Sequence, residues 1–207
     1  MEKRSVYLEE KIIYFEAPGL ENTAETLRLI AERAKARGIS KIILASTRGD
    51  TARLAAEHFA GTNIKMVVVP HQFGFSETQR FPVELVSELE RKGHHVHFGT
   101  MLFHTDSFYG MNTPSVMATL LRTFCQGMKV CVEIILMATD GGCVATGEKV
   151  IAVTGTRRGA DTAVVAIAAP SPKLSELHIT EIICKPLETK SWPSGTRPPA
   201  GIARPNS

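Results

Sequence analysis

Two short stretches of this chain gather groups that bind oxyanions. The first is Ile42-Ile-Leu-Ala-Ser-Thr-Arg-Gly-Asp-Thr51, where an apolar run passes into a polar turn and then directly into helix-type sequence. The first N–H groups of a helix have no partners inside it, and the helix dipole places about half a positive charge there. Ser46, Thr47 and Thr51 add hydroxyls, Arg48 adds a charged fork, and Gly49 allows close approach to the backbone. That combination makes a phosphate cradle. The same residues also suit a plain helix start capped by Ser46 or Asp50, because Ser, Thr and Asp are favoured there for their own sake.

The second stretch is Val153-Thr-Gly-Thr-Arg-Arg-Gly-Ala-Asp161, again following an apolar run. It also reads as an ordinary hairpin loop, with glycine for the turn and arginine for solubility. In open α/β sheets, ligands bind beyond the carboxyl ends of parallel strands. Two donor-rich turns on one rim predict a shared anionic ligand, neutralised by Arg48 with Arg157 or Arg158. The candidate binding residues are therefore Ser46, Thr47, Arg48, Gly49, Asp50 and Thr51, joined by Gly155, Thr156, Arg157 and Arg158. No G-x-x-x-x-G-K-[ST] or G-x-G-x-x-G pattern is present, so neither a Walker-type nor a dinucleotide loop is indicated.

Other chemistry is weaker. His95 and His97 share one face of a short strand, with His94 and His104 nearby, but no neighbouring cysteine or paired carboxylate in the sequence completes a metal site. No metal is assigned. Cys125, Cys131, Cys143 and Cys184 form no C-x-x-C pair and read as buried, inert thiols. There is no G-x-S-x-G elbow, and no catalytic acid or base is identified. Phe73, Phe75, Phe103, Phe108 and Tyr109 fall in two long loops, over 70–81 and 99–112, where an aromatic ring can cover a flat ligand.

These groups are carried by alternating strands and helices. Strands are expected at 11–15, 41–45, 64–69, 95–98, 149–153, 162–169 and 178–183. Helices are expected from a cap at Asn22-Thr-Ala-Glu25 to Gly38, over 51–59, 83–92 and 115–124, and over 130–139, where helix is preferred to strand. The last two strands have no helix between them, which predicts an antiparallel edge on an otherwise parallel sheet. Residues 1–185 read as one α/β domain. Residues 186–207 hold five prolines and little that packs, and are expected as an extended tail.

Composition agrees with one globular domain: 207 residues, 43% hydrophobic and 22% charged. A net charge of +3 without a basic, aromatic-studded stripe argues against nucleic acid. No apolar run is long enough to span a bilayer, and the acids near the N-terminus do not suit a signal peptide. A cytoplasmic protein without membrane partners is expected. The apolar 130–139 segment and the aromatic loops also allow a homo-oligomer interface.

Residues 42–56 resemble the start of the pyruvate kinase C-terminal α/β domain, and Glu148–Thr162 resembles its later strand and effector loop. The order of elements is similar over most of residues 11–185, and the sequence is most similar to stand-alone proteins of that fold from archaea and bacteria. The resemblance implies a three-layer α/β/α sandwich with a mostly parallel, mixed sheet and an antiparallel late strand. It implies phosphate contacts at Ser46, Thr47, Arg48, Gly49 and Thr51 and at Gly155, Thr156 and Arg157, and, from the stand-alone group, flavin mononucleotide (FMN) as a ligand. The chain departs from the kinase pattern in having no lysine in the first turn and in its 99–145 region, so sugar-bisphosphate binding does not carry over. Kinase chemistry belongs to a separate barrel in that family and is not expected here. The expected function is binding of a phosphorylated small molecule, with a non-catalytic effector-sensing or assembly module as the alternative.

Overall fold

The computed structural model describes residues 7–105 and 113–188. Its elements are β1 (Ile13–Phe15), α1 (Thr23–Arg37), β2 (Lys41–Ala45), α2 (Asp50–His58), β3 (Lys65–Val69), α3 (Val83–Arg91), β4 (His95–Val96), α4 (Thr113–Arg122), α5 (Gln126–Asp140), β5 (Lys149–Thr154), β6 (Thr162–Ile167) and β7 (His178–Pro186). The seven strands form one sheet in the order β1-β7-β6-β5-β2-β3-β4. All pairings are parallel except those of β6, which runs antiparallel to both β5 and β7.

The central strands read as unbroken apolar runs because both of their faces are covered. Ile42 and Leu44 face one core, packed with Leu27 and Ile30 of α1, Ala52 and Ala55 of α2, and Leu85 and Leu89 of α3. Ile43 turns to the other core, with Ile134, Ile135 and Ala138 of α5. Outside α5 lies α4, joined to it by a third cluster of Ala118, Val132, Leu136 and Phe103. The result is the expected three-layer α/β/α sandwich with a mixed, mostly parallel sheet.

Several expectations change in detail. The antiparallel strand is interior, not at an edge, because β7 adds beyond β6 and β1 then pairs parallel to β7. The 130–139 segment is helical, and it is almost wholly buried between the sheet and α4. That burial removes its helical periodicity from the sequence, and it makes the segment core instead of an oligomer face. Asn22 does not cap α1; its amide donates to the Ala17 carbonyl at 2.9 Å instead. Pro186 still pairs with Phe15, and Leu187 and Glu188 donate to the carbonyls of Phe15 and Glu16, so the ordered chain passes residue 185. The rest of the expected tail, with Phe108 and Tyr109, lies outside the described residues. Among the described residues no helix is long and apolar enough to cross a membrane.

Candidate functional site

The chain leaves β2 toward β3 and β4 on one side and returns at β5 on the other, so strand order reverses between β2 and β5. A crevice opens at such a switch point, beyond the carboxyl ends of the strands. The register pairs Leu44 with Val153, which brings the turn after β2 beside the loop after β5. Both line one cavity of about 490 Å³. Ser46, Thr47, Arg48, Asp50 and Thr51 come from the first turn, and Gly155, Thr156, Arg157 and Arg158 from the second. Arg158 crosses the mouth to Asp50 at 3.1 Å.

The first turn shows both of its readings at once. Ser46 Oγ accepts from the Ala52 amide at 3.3 Å, so the serine does cap α2. Among the described residues, no protein acceptor meets the N–H groups of Thr47 to Thr51. Gly49 is the one predicted residue that does not line the cavity. Its φ is +88°, and a Cβ there would lie 2.4 Å from Leu85 Cδ2. Glycine is needed at that position so that α3 can pack against the turn, whatever the cavity holds.

The second loop is indeed a hairpin loop, closed by the Asp161 amide on the Thr154 carbonyl at 3.0 Å. Asp161 is fully buried and accepts from the Thr156 amide at 3.0 Å and the Thr162 hydroxyl at 2.8 Å. Burial pushes its pKa up, against these hydrogen bonds. Helix α1 anchors the same loop: Thr23 Oγ1 accepts from the Ala160 amide, and Thr26 Oγ1 donates to the Ala160 carbonyl. The loop's backbone is thus held from three sides, while Arg157 and Arg158 stay exposed.

Deeper in the cavity is a charged pair that the sequence pattern did not single out. Helix α5 starts at the rim and sends Lys129 and Glu133 inward, four residues apart on one face. Their side chains are 1% and 3% exposed, with Nζ to Oε2 at 2.5 Å. Oε1 of Glu133 accepts from the Phe103 amide at 3.1 Å and lies 3.3 Å from His104 Nδ1. Lys129 Nζ also sits 5.4 Å from the centre of the Phe103 ring. Burial pushes the Glu133 carboxyl up, but His104, Lys129 and the Phe103 amide outweigh it, and its pKa ends below the ordinary value. Burial lowers the Lys129 pKa, with the Glu133 charge opposing.

The loop after β3 closes the other wall. His71, Phe75 and Arg80 line the cavity, and Phe75 makes edge contacts with the rings of His71 and His104. His71 Nδ1 is buried without a hydrogen-bond partner. Burial, followed by the Arg80 charge, lowers its pKa and favours the neutral ring. Val69, Met101, Ile134 and Met137 supply an apolar floor. Cationic donors at the mouth and an apolar, aromatic interior suit an amphipathic ligand with an anionic end.

A family model for the pyruvate kinase alpha/beta domain matches residues 24–166, a span that contains both turns and the whole of α5. Among solved structures, Cryptosporidium parvum pyruvate kinase in complex with ADP is similar over 69% of this chain, at 15% sequence identity and a TM-score of 0.32. The match covers 22% of that kinase's own length.

Proposed function

The chain belongs to the pyruvate kinase alpha/beta domain family, and from that premise and its cavity we propose that it binds a phosphorylated small molecule, with FMN as the ligand to test. The observation that carries the reading is that two donor-rich turns, more than a hundred residues apart in sequence, line one cavity. The phosphate sits on the open amides of Thr47 to Thr51, beside Arg48 and the arginines of the 155–159 loop. The body of the ligand lies over Val69, Ile134 and Met137, under Phe75. A volume of about 490 Å³ falls in the usual range for cofactor sites, about 300–1,000 Å³. The unpartnered His71 Nδ1 offers such a ligand a polar contact at depth.

The test is a fluorescence titration with FMN, riboflavin and inorganic phosphate. The expected order is FMN bound more tightly than riboflavin by at least about tenfold, since charge-assisted hydrogen bonds contribute roughly 1.5–3 kcal/mol each. Arg48→Ala should remove most of that difference and leave riboflavin binding unchanged. Failure of FMN to bind removes the flavin assignment. Failure of a panel of phosphorylated metabolites to raise the melting temperature removes the phosphate reading as a whole.

A further inference from the structure

We propose that His95, His97 and Cys143 form a second site, separate from the cavity, that binds a zinc-class transition-metal ion through two imidazoles and one thiolate. One donor atom from each of the three side chains lies within 4.8 Å of the others. Zinc holds nitrogen and sulfur donors at about 2.0–2.3 Å, which places them roughly 3.3–3.8 Å apart. Small side-chain rotations close the remaining gap.

The fold assembles this trio from two distant segments. Val96 points into the core under α2 and α3, so strand alternation sends His95 and His97 to the opposite face, the one covered by α5. At the far end of α5 the chain turns through Gly142, whose φ is +70°. The Gly142 amide then meets the Thr139 carbonyl at 3.0 Å and the Cys143 amide meets the Ala138 carbonyl at 2.9 Å. This paired cap fixes the backbone of Cys143 immediately beyond the helix. Lys41 pins it again, donating to the Cys143 carbonyl at 3.2 Å while also bridging to Glu148 at 3.0 Å.

His97 is held just as firmly. A Cβ on Gly99 would lie 2.6 Å from its Nε2, and one on Gly141 would lie 2.2 Å from its Cε1. The ring therefore occupies a slot between two glycine backbones, next to the C-terminal, electron-rich end of α5, which favours a cation. His95 is exposed, whereas His97 and Cys143 are half-buried, so the trio opens to solvent on one side. A tetrahedral ion would keep its fourth position there for water or an exogenous ligand. Two imidazoles with a thiolate select zinc, cobalt or copper over magnesium and calcium, which prefer oxygen donors. The other three cysteines are buried away from this surface.

Cobalt(II) titration of the untagged, reduced full chain tests the site. The expected result is one equivalent bound, with a thiolate-to-cobalt charge-transfer band and intense tetrahedral d–d absorption, both displaced by zinc. Cys143→Ser should abolish the charge-transfer band. His95→Ala combined with His97→Ala should weaken binding by at least about a hundredfold. Zinc should also slow alkylation of Cys143 in the native chain. Because the half-buried His97 could matter for folding, His95→Ala alone, an exposed change, is measured as well and should weaken cobalt binding. Absence of the band at stoichiometric cobalt overturns the proposal, as does a band that survives in Cys143→Ser or cobalt affinity unchanged in His95→Ala. None of these readouts depends on FMN or phosphate binding.

Discussion

Replacing Glu133 with leucine tests whether the polar groups at the back of the cavity act as one coupled unit. In the native fold this carboxylate meets the Lys129 ammonium at 2.5 Å, the Phe103 amide at 3.1 Å and the His104 ring at 3.3 Å. Leucine fills nearly the same volume but leaves an ammonium that is 1% exposed without a counter-charge. Removing one partner of a buried ion pair costs about 3–5 kcal/mol. The orphaned Phe103 N–H adds roughly 1–3 kcal/mol. Lys129 offsets part of this by giving up its proton, because burial already lowers its pKa and the Glu133 charge that opposed burial is gone. A net loss of about 4 kcal/mol is therefore expected, measured by equilibrium urea unfolding. The paired change, Lys129→Met with Glu133→Leu, removes both charges and should recover at least about 2 kcal/mol relative to Glu133→Leu alone. The reasoning is refuted if Glu133→Leu costs less than about 1 kcal/mol, or if the double variant is as unstable as the two single losses added together.

Acid should weaken the fold in a defined window. Glu133 has a depressed pKa, and so does Glu181, where burial is outweighed by Arg37 and Arg33. A depressed carboxylate stabilises the fold above its unfolded value of 4.5 and loses that contribution as pH falls through the folded value, so urea midpoints should drop below that pH. Glu181→Gln should flatten the drop. Asp161 acts in the opposite sense: burial raises its pKa, so its contribution is full below its unfolded value of 3.8 and is lost as pH rises through the folded value. Gly49→Ala should lower the melting stability of the ligand-free protein by roughly 2–3 kcal/mol, from its positive φ and the Leu85 contact; an unchanged melting temperature would return Gly49 to a purely ligand-facing role. Under native conditions, Ellman's reagent should label Cys143 quickly and Cys125, Cys131 and Cys184 only on unfolding, since those three are buried. Burial also pushes the Cys184 thiol up to about 12. Rapid labelling of more than one thiol would contradict this.

Local chemistry made much of this protein readable from its residues. The β2 turn and the β5 loop stand out because a strand end, a glycine and clustered hydroxyls or guanidiniums are all encoded within ten residues. The buried strands show as apolar runs, since both of their faces meet helices. The deeper cavity was harder to see. Lys129 and Glu133 look like interruptions of an apolar segment, although their i, i+4 spacing was the available sign of a helical pair. His71 and Arg80 come from a loop without periodicity, so no pattern marked them, and His104, grouped in the sequence with the histidines of β4, lies instead beside Glu133.

What remained for the tertiary structure was every relation between distant segments. The Leu44–Val153 register decided that two turns share a cavity. The insertion of β6 between β5 and β7 put the antiparallel strand inside the sheet. The cap after α5 carried Cys143 to the histidines of β4. The physical reason is one of range: dihedral preferences, caps and hydrophobic period act within a turn or two of chain. Which strands neighbour each other is settled by how whole apolar faces are buried together.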